Sequence, residues 1–201
     1  MRGAPVNAER RTLNAQNAER IPCHRPNRSI KGVPVMQLFL LRHAEAEPDA
    51  ANDEARTLTA KGSKQAESIG KFCREHCFVP EMILSSPLTR AKETARLVAR
   101  ELDLPKLVRV EEFLRAGMNA ERAFSGLREF LVDVMKREKY SEKASIMLVG
   151  HEPDFSNLAA VLIGGRAESV RFRKATLMGL TLQELKPGAG TIEFLIPVKC
   201  L

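Results

Sequence analysis

The chain has 201 residues, 44% hydrophobic and 28% charged, with a formal net charge of +7 at pH 7. That length suits one ordinary domain with an extension, and that balance excludes a wholly disordered chain. No run approaches the ~18 consecutive apolar residues of a membrane-spanning helix. One Tyr, nine Phe and no Trp leave few aromatics for stacking bases.

The charge is uneven. Residues 1–35 carry +5 of the +7, with Arg2, Arg10, Arg11, Arg20, Arg25, Arg28 and Lys31 set against Glu9 and Glu19. This block repeats Asn-Ala-Glu-Arg at 7–10 and 17–20 and is broken by Pro22, Pro26 and Pro34. Leu13, Ile21 and Ile30 are too sparse for a core. The sequence therefore divides into a disordered basic extension over 1–35 and a folded domain over 36–201. Contact of the basic block with nucleic acid or a membrane surface finds no support in aromatic interleaving or an amphipathic pattern.

From Met36 onward, strand and helix signals alternate. Residues 36–41 (MQLFLL) form a short apolar run suited to a buried strand. Residues 59–77 have helical spacing, with Ala66, Ile69, Gly70 and Cys73 on one side. Within it, Cys73, His76 and Cys77 lie close together, but no second ligand pair accompanies them and no metal centre is expected. Residues 81–85 (EMILS) form the next strand. Ser86-Pro87 then reads as an N-cap with proline in the first helical position, opening a helix to about Leu102.

A third strand is expected over 107–110. A helix follows over 120–139, with Phe124, Leu127, Leu131, Val134 and Met135 inward. Residues 145–149 (SIMLV) form another buried strand, and Pro153 starts a helix ending near Gly164-Gly165. Two final strands, 176–184 and 191–198, are joined through Lys-Pro-Gly-Ala-Gly as a hairpin. The pattern implies an α/β fold: a mainly parallel sheet covered on both faces, with an antiparallel edge hairpin.

Ligands of open α/β sheets bind beyond the carboxyl ends of the strands. The first strand is followed by Arg42-His43, the second by Ser86-Pro87-Leu88-Thr89-Arg90, and the fourth by Gly150-His151-Glu152-Pro153. Two of the chain's four histidines and two arginines thus fall at one sheet edge. The set suits phosphoryl transfer. A neutral imidazole can attack phosphorus and carry the group covalently. Arginines grip phosphate oxygens with paired donors and offset the charge of the transition state. No acidic cluster of metal-ligand type accompanies these residues, so the expected mechanism is metal-independent and needs no cofactor.

Leu-Arg-His-Ala-Glu at 41–45, Leu-Thr-Ala-Lys-Gly at 58–62, Ser-Ser-Pro-Leu-Thr-Arg-Ala-Lys-Glu-Thr-Ala at 85–95 and Val-Gly-His-Glu-Pro at 149–153 together resemble the histidine phosphatase (phosphoglycerate mutase-like) superfamily. The order and spacing cover about 36–165. The short chain and the Glu-Ala-Arg-Thr-Leu-Thr-Ala-Lys-Gly segment are similar to the SixA-type phosphohistidine phosphatases within it. The resemblance implies a three-layer α/β/α Rossmann-like domain. It implies that His43 is the phospho-accepting nucleophile and that Arg42, Arg90 and His151 form the phosphate pocket. Arg56 resembles a further pocket arginine of the SixA-type branch. Ala44 replaces the glycine of the commoner Arg-His-Gly form, keeping a small residue.

One departure concerns the general acid. Many superfamily members that cleave phosphate esters place a carboxylic acid after a strand near mid-chain. The candidates here, Glu111 and Glu112, sit in no convincing family motif. An alkoxide leaving group needs a proton in the transition state. A phosphorylated imidazole does not, because its other ring nitrogen can already be protonated. The expected protein is therefore a cytoplasmic phosphatase that hydrolyses phosphohistidine on a protein such as a phosphorelay histidine domain. The alternatives are a phosphatase for small phosphate esters and, outside enzymes, a nucleic-acid-binding or scaffolding protein acting through its basic tail.

Overall fold

The computed structural model describes residues 36–48, 52–137 and 145–201. The segment 1–35, read from sequence as a basic extension, lies outside the described residues. Six strands form one sheet in the order β3-β2-β4-β1-β5-β6. They are β1 (Met36–Arg42), β2 (Met82–Ser85), β3 (Val108–Val110), β4 (Ser145–Gly150), β5 (Thr176–Leu182) and β6 (Gly190–Pro197). The first four run parallel to one another, while β5 pairs antiparallel with β1 and β6 antiparallel with β5. The parallel sheet and its antiparallel edge hairpin are those expected from the alternation of apolar runs.

The helices are α1 (Ala60–Glu75), α2 (Thr89–Glu101), α3 (Ala120–Arg137) and α4 (Asp154–Ile163). Side chains alternate across each strand, and this sorts the core into two layers. Leu38, Leu40, Leu84, Ile146 and Leu148 pack with Phe124 and Leu127 of α3 and Phe155 and Leu158 of α4. Phe39, Leu41, Ile83, Met147 and Val149 pack with Ala66, Ile69 and Cys73 of α1 and Ala95 and Val98 of α2. Central strands buried on both faces are apolar throughout, as in β4, whose six residues are all buried. The edge strand β6 has no fully buried residue. Among the described residues no helix is long and apolar enough to cross a membrane.

Two helix starts differ from the sequence expectation. Helix α2 begins at Thr89 with Leu88 at its N-cap and no side-chain cap. Ser86 does not cap it, because its N–H still extends the sheet, donating to the Val149 carbonyl at 2.9 Å. Its hydroxyl accepts instead from the Leu88 N–H at 3.3 Å. Pro153 stands at the N-cap of α4 rather than inside the helix.

The start of α1 explains the Leu-Thr-Ala-Lys-Gly segment. Thr59 is the N-cap, and its hydroxyl accepts from the Gly62 N–H at 2.9 Å. The Thr59 N–H donates to the Glu45 carbonyl at 3.1 Å, tying the helix to the chain leaving β1. A Cβ on Gly62 would lie 1.9 Å from that carbonyl oxygen, so only glycine allows the approach.

Candidate active site

Strand register builds the site. Arg42 of β1 and Gly150 of β4 are partners in the parallel ladder. The next residues, His43 and His151, therefore leave the sheet side by side. The His43 N–H donates to the Gly150 carbonyl at 3.0 Å, carrying the pairing one step beyond the strand. The ring centroids of the two histidines are 5.3 Å apart. On the other flank of β4, Ser86 follows β2, and its Oγ is hydrogen-bonded to His151 Nε2 at 2.7 Å. Beyond it, the Glu111 N–H donates to the Ser85 carbonyl at 2.9 Å, so Glu111 follows β3 at the same edge.

Both imidazoles are buried, His43 at 6% exposure and His151 at 3%. The Nδ1–H of His43 donates to the Ala44 carbonyl at 2.7 Å. Because a carbonyl can only accept, the proton sits on Nδ1 and the lone pair on Nε2. Burial pushes the His43 pKa down to about 3, opposed by the Ala44 hydrogen bond and reinforced by His151, Arg90 and Arg42. Burial likewise lowers His151 to about 4, with Arg90 and Arg42 adding to it and Asp53 opposing. Both rings are therefore neutral at pH 7.

Backbone anchors fix the chain around His43. The Ala44 N–H donates to Thr94 Oγ1 at 3.1 Å, and the Thr94 hydroxyl donates to the Arg90 carbonyl at 2.7 Å. The loop carrying His43 is thus tied to the first turns of α2, which carries Arg90. Arg42 donates from Nη1 to the Phe172 carbonyl at 2.8 Å. Its Nε is buried without a hydrogen-bond partner among the described residues, as is Nδ1 of His151. Burial lowers the Arg42 pKa from its usual value, opposed by the Glu152 carboxylate and reinforced by Arg90.

Arg90 is almost wholly buried, yet its guanidinium reaches a surface segment. Its Nη1 donates to the Asp53 carbonyl at 2.7 Å and its Nη2 to Asp53 Oδ2 at 3.0 Å. Asp53 opens a single turn of 3-10 helix, Asp53–Ala55. Its other carboxylate oxygen accepts from Arg56 Nη1 at 2.9 Å, and Arg56 Nε donates to the Glu47 carbonyl at 2.6 Å. The hydrogen bonds from Arg56 and Arg90 hold the Asp53 carboxyl below the usual carboxylate range.

Arg42, His43, Arg90 and His151 are brought together, as the sequence expects. Arg56 joins them at one remove, through Asp53. Of the two acid candidates, Glu112 is exposed, its carboxylate ion-paired with Arg115 at 3.0 Å. Glu111 is half-buried at the sheet edge. Sequence reasoning misses Ser86 and Asp53. Ser86 is hidden by the Ser-Pro pair that reads as a helix start. The signal for Asp53 is its position in the Asn-Asp-Glu-Ala-Arg stretch, three residues before Arg56. Among the described residues no trio of His, Cys, Asp or Glu side chains is gathered as a metal ligand set.

The family model of the histidine phosphatase superfamily (branch 1) matches residues 38–116. A protein of Haemophilus influenzae named phosphohistidine phosphatase SixA homolog is 32% identical over 150 residues, covering 72% of this chain and 87% of the relative. The Escherichia coli phosphohistidine phosphatase SixA is 28% identical over 159 residues, covering 79% of this chain and 92% of the relative. In three dimensions, the protein histidine phosphatase SixA solved with tungstate superimposes with a TM-score of 0.71 at 26% identity, over 82% of this chain and 99% of its own.

Proposed function

The chain belongs to the histidine phosphatase superfamily, and from that membership and the geometry of the site we propose that it hydrolyses phosphohistidine on a protein. The single observation that carries the reading is the pair of buried, neutral imidazoles at adjacent strand ends, His43 with its proton fixed on Nδ1 by the Ala44 carbonyl. That tautomer leaves Nε2 of His43 as the nucleophile toward phosphorus.

The remaining groups take roles around the transferred phosphoryl group. Arg42 and Arg90 offset the charge on its equatorial oxygens. In this reading the Ser86 hydroxyl is the donor in its hydrogen bond with His151 Nε2, and the His151 proton sits on Nδ1. That buried Nδ1–H then donates to a phosphoryl oxygen. As the N–P bond breaks, its electron pair returns to the substrate imidazole. That ring already holds a proton on its other nitrogen and departs neutral. Water then attacks the phosphohistidine on His43, releasing phosphate and restoring the free imidazole. No step needs an enzyme acid.

A second reading, hydrolysis of small phosphate esters, draws on one observation: Glu111 follows β3 beside Ser85, where a carboxylic acid would reach a leaving alkoxide. Turnover compared on a phosphohistidine peptide and on a panel of sugar, glycerate and aryl phosphates separates the two. Higher kcat/KM on phosphohistidine is expected. Higher kcat/KM on an alkyl phosphate, abolished by Glu111→Gln, would reverse the order. A phosphorelay histidine domain is a protein substrate of the class this proposal calls for, and the proposed location is the cytoplasm.

A further inference from the structure

Resting on the phosphohistidine reading, we propose that Asp53 selects for an imidazole leaving group by accepting a hydrogen bond from the protonated ring nitrogen opposite the N–P bond. The Asp53 carboxylate lies beside the site, bonded to Arg90 through Oδ2 and to Arg56 through Oδ1. Its field reaches His151. Its side chain is 60% exposed, whereas that of Arg90 is 7% exposed. Asp53 thus stands on the solvent-exposed side of the buried arginine. A carboxylate has about four lone-pair positions, of which the two arginines occupy two. The carboxylate is exposed, so its remaining positions are open to a further donor.

The chemistry of the substrate supplies that donor. In protonated phosphohistidine one ring nitrogen bonds phosphorus and the other carries a hydrogen. When His43 Nε2 forms its bond to phosphorus, the substrate P–N bond breaks and its electron pair returns to the ring nitrogen. The hydrogen on the opposite nitrogen stays in place and remains bonded to Asp53. The carboxylate therefore keeps the substrate ring in the protonated form from which phosphorus departs most readily. An alkyl phosphate has no donor at that position, and it would need from Asp53 a proton that the arginine-held carboxylate does not carry. The same residue thereby favours N-phosphates and disfavours esters.

The test uses the full chain with two small substrates, phosphoimidazole and its N-methylated analogue, in which a methyl replaces the ring N–H. For the wild-type protein and Asp53→Asn, kcat/KM is measured on both, with p-nitrophenyl phosphate as a third substrate. Asp53→Asn is expected to lower kcat/KM about tenfold or more on phosphoimidazole, the usual scale for losing a charged acceptor. On the methylated analogue the loss should be several-fold smaller, confined to the part that Asp53 plays in holding Arg90. Equal losses on both N-phosphates would mean that Asp53 acts only by holding Arg90. Equal gains on both would mean that its carboxylate obstructs the phosphate seat. Either result overturns the proposal. Wild-type turnover of p-nitrophenyl phosphate but of neither N-phosphate would instead overturn the phosphohistidine reading itself.

Discussion

His43 and His151 follow directly on Arg42 and Gly150, register partners in adjacent parallel strands, and their rings stand 5.3 Å apart. The juxtaposition is a property of the sheet rather than of a loop. Backbone pairing on β1 and β4 sets the two imidazoles in place before any ligand arrives. A site built on strand ends keeps its geometry to within the tolerance that phosphoryl transfer requires.

The arginines should differ in their effect on the chemical step. Arg42→Ala and Arg90→Ala each remove a guanidinium beside the histidines, a loss of ~3 kcal/mol in transition-state stabilisation and about a hundredfold in rate. Arg56 acts through Asp53, so Arg56→Ala should cost less. Single-turnover rates of the three variants check the order. A larger loss in Arg56→Ala than in the other two would contradict the assigned geometry.

The low pKa values of the two histidines have a consequence for stability. An unfolded histidine titrates near 6.5, whereas folded His43 and His151 titrate near about 3 and about 4. The unfolded state therefore binds protons first as pH falls. Their contribution to stability is complete above pH ~6.5. It declines below that, by at most ~1.4 kcal/mol per pH unit for each ring, down to the folded pKa. Denaturant titrations at pH 7.5 and 5.5 should show the loss. A His43→Gln, His151→Gln double variant should have a flatter profile over that interval, and an unchanged slope would contradict the assignment.

Gly62 tests the docking of α1 on the chain leaving β1. A methyl group there would meet the Glu45 carbonyl oxygen at 1.9 Å, a backbone atom with little room to move. Gly62→Ala should destabilise the protein by about 2–3 kcal/mol through this clash and displace the loop that holds His43. Equilibrium unfolding measures the first effect and kcat the second. Wild-type values for both would show that the contact yields freely.

Much of this was legible in the sequence, for a physical reason. Strands buried on both faces must be apolar, so 36–41, 81–85 and 145–149 stand out, and the polar residues after them mark the sheet edge. Arg42, His43 and His151 are found in that way. Arg90 follows from one helical turn of α2. The ends of helices are less legible. Ser86-Pro87 carries the chemistry of a cap, but the Ser86 N–H pairs with Val149 and its hydroxyl meets His151. Asp53 is harder still. A three-residue turn has no periodicity, and its link to Arg90 crosses 37 positions of sequence. Only the folded chain brings the two together.

The most direct measurement is the site of the covalent phosphoryl group. The full chain is mixed with a radiolabelled phosphohistidine peptide, quenched rapidly in alkali and mapped by peptide. The label is expected on His43, stable to alkali and lost in acid as an N–P bond requires, and His43→Ala should abolish both label and turnover. Label on His151, or full turnover by His43→Ala, would contradict the assignment of His43 as the nucleophile.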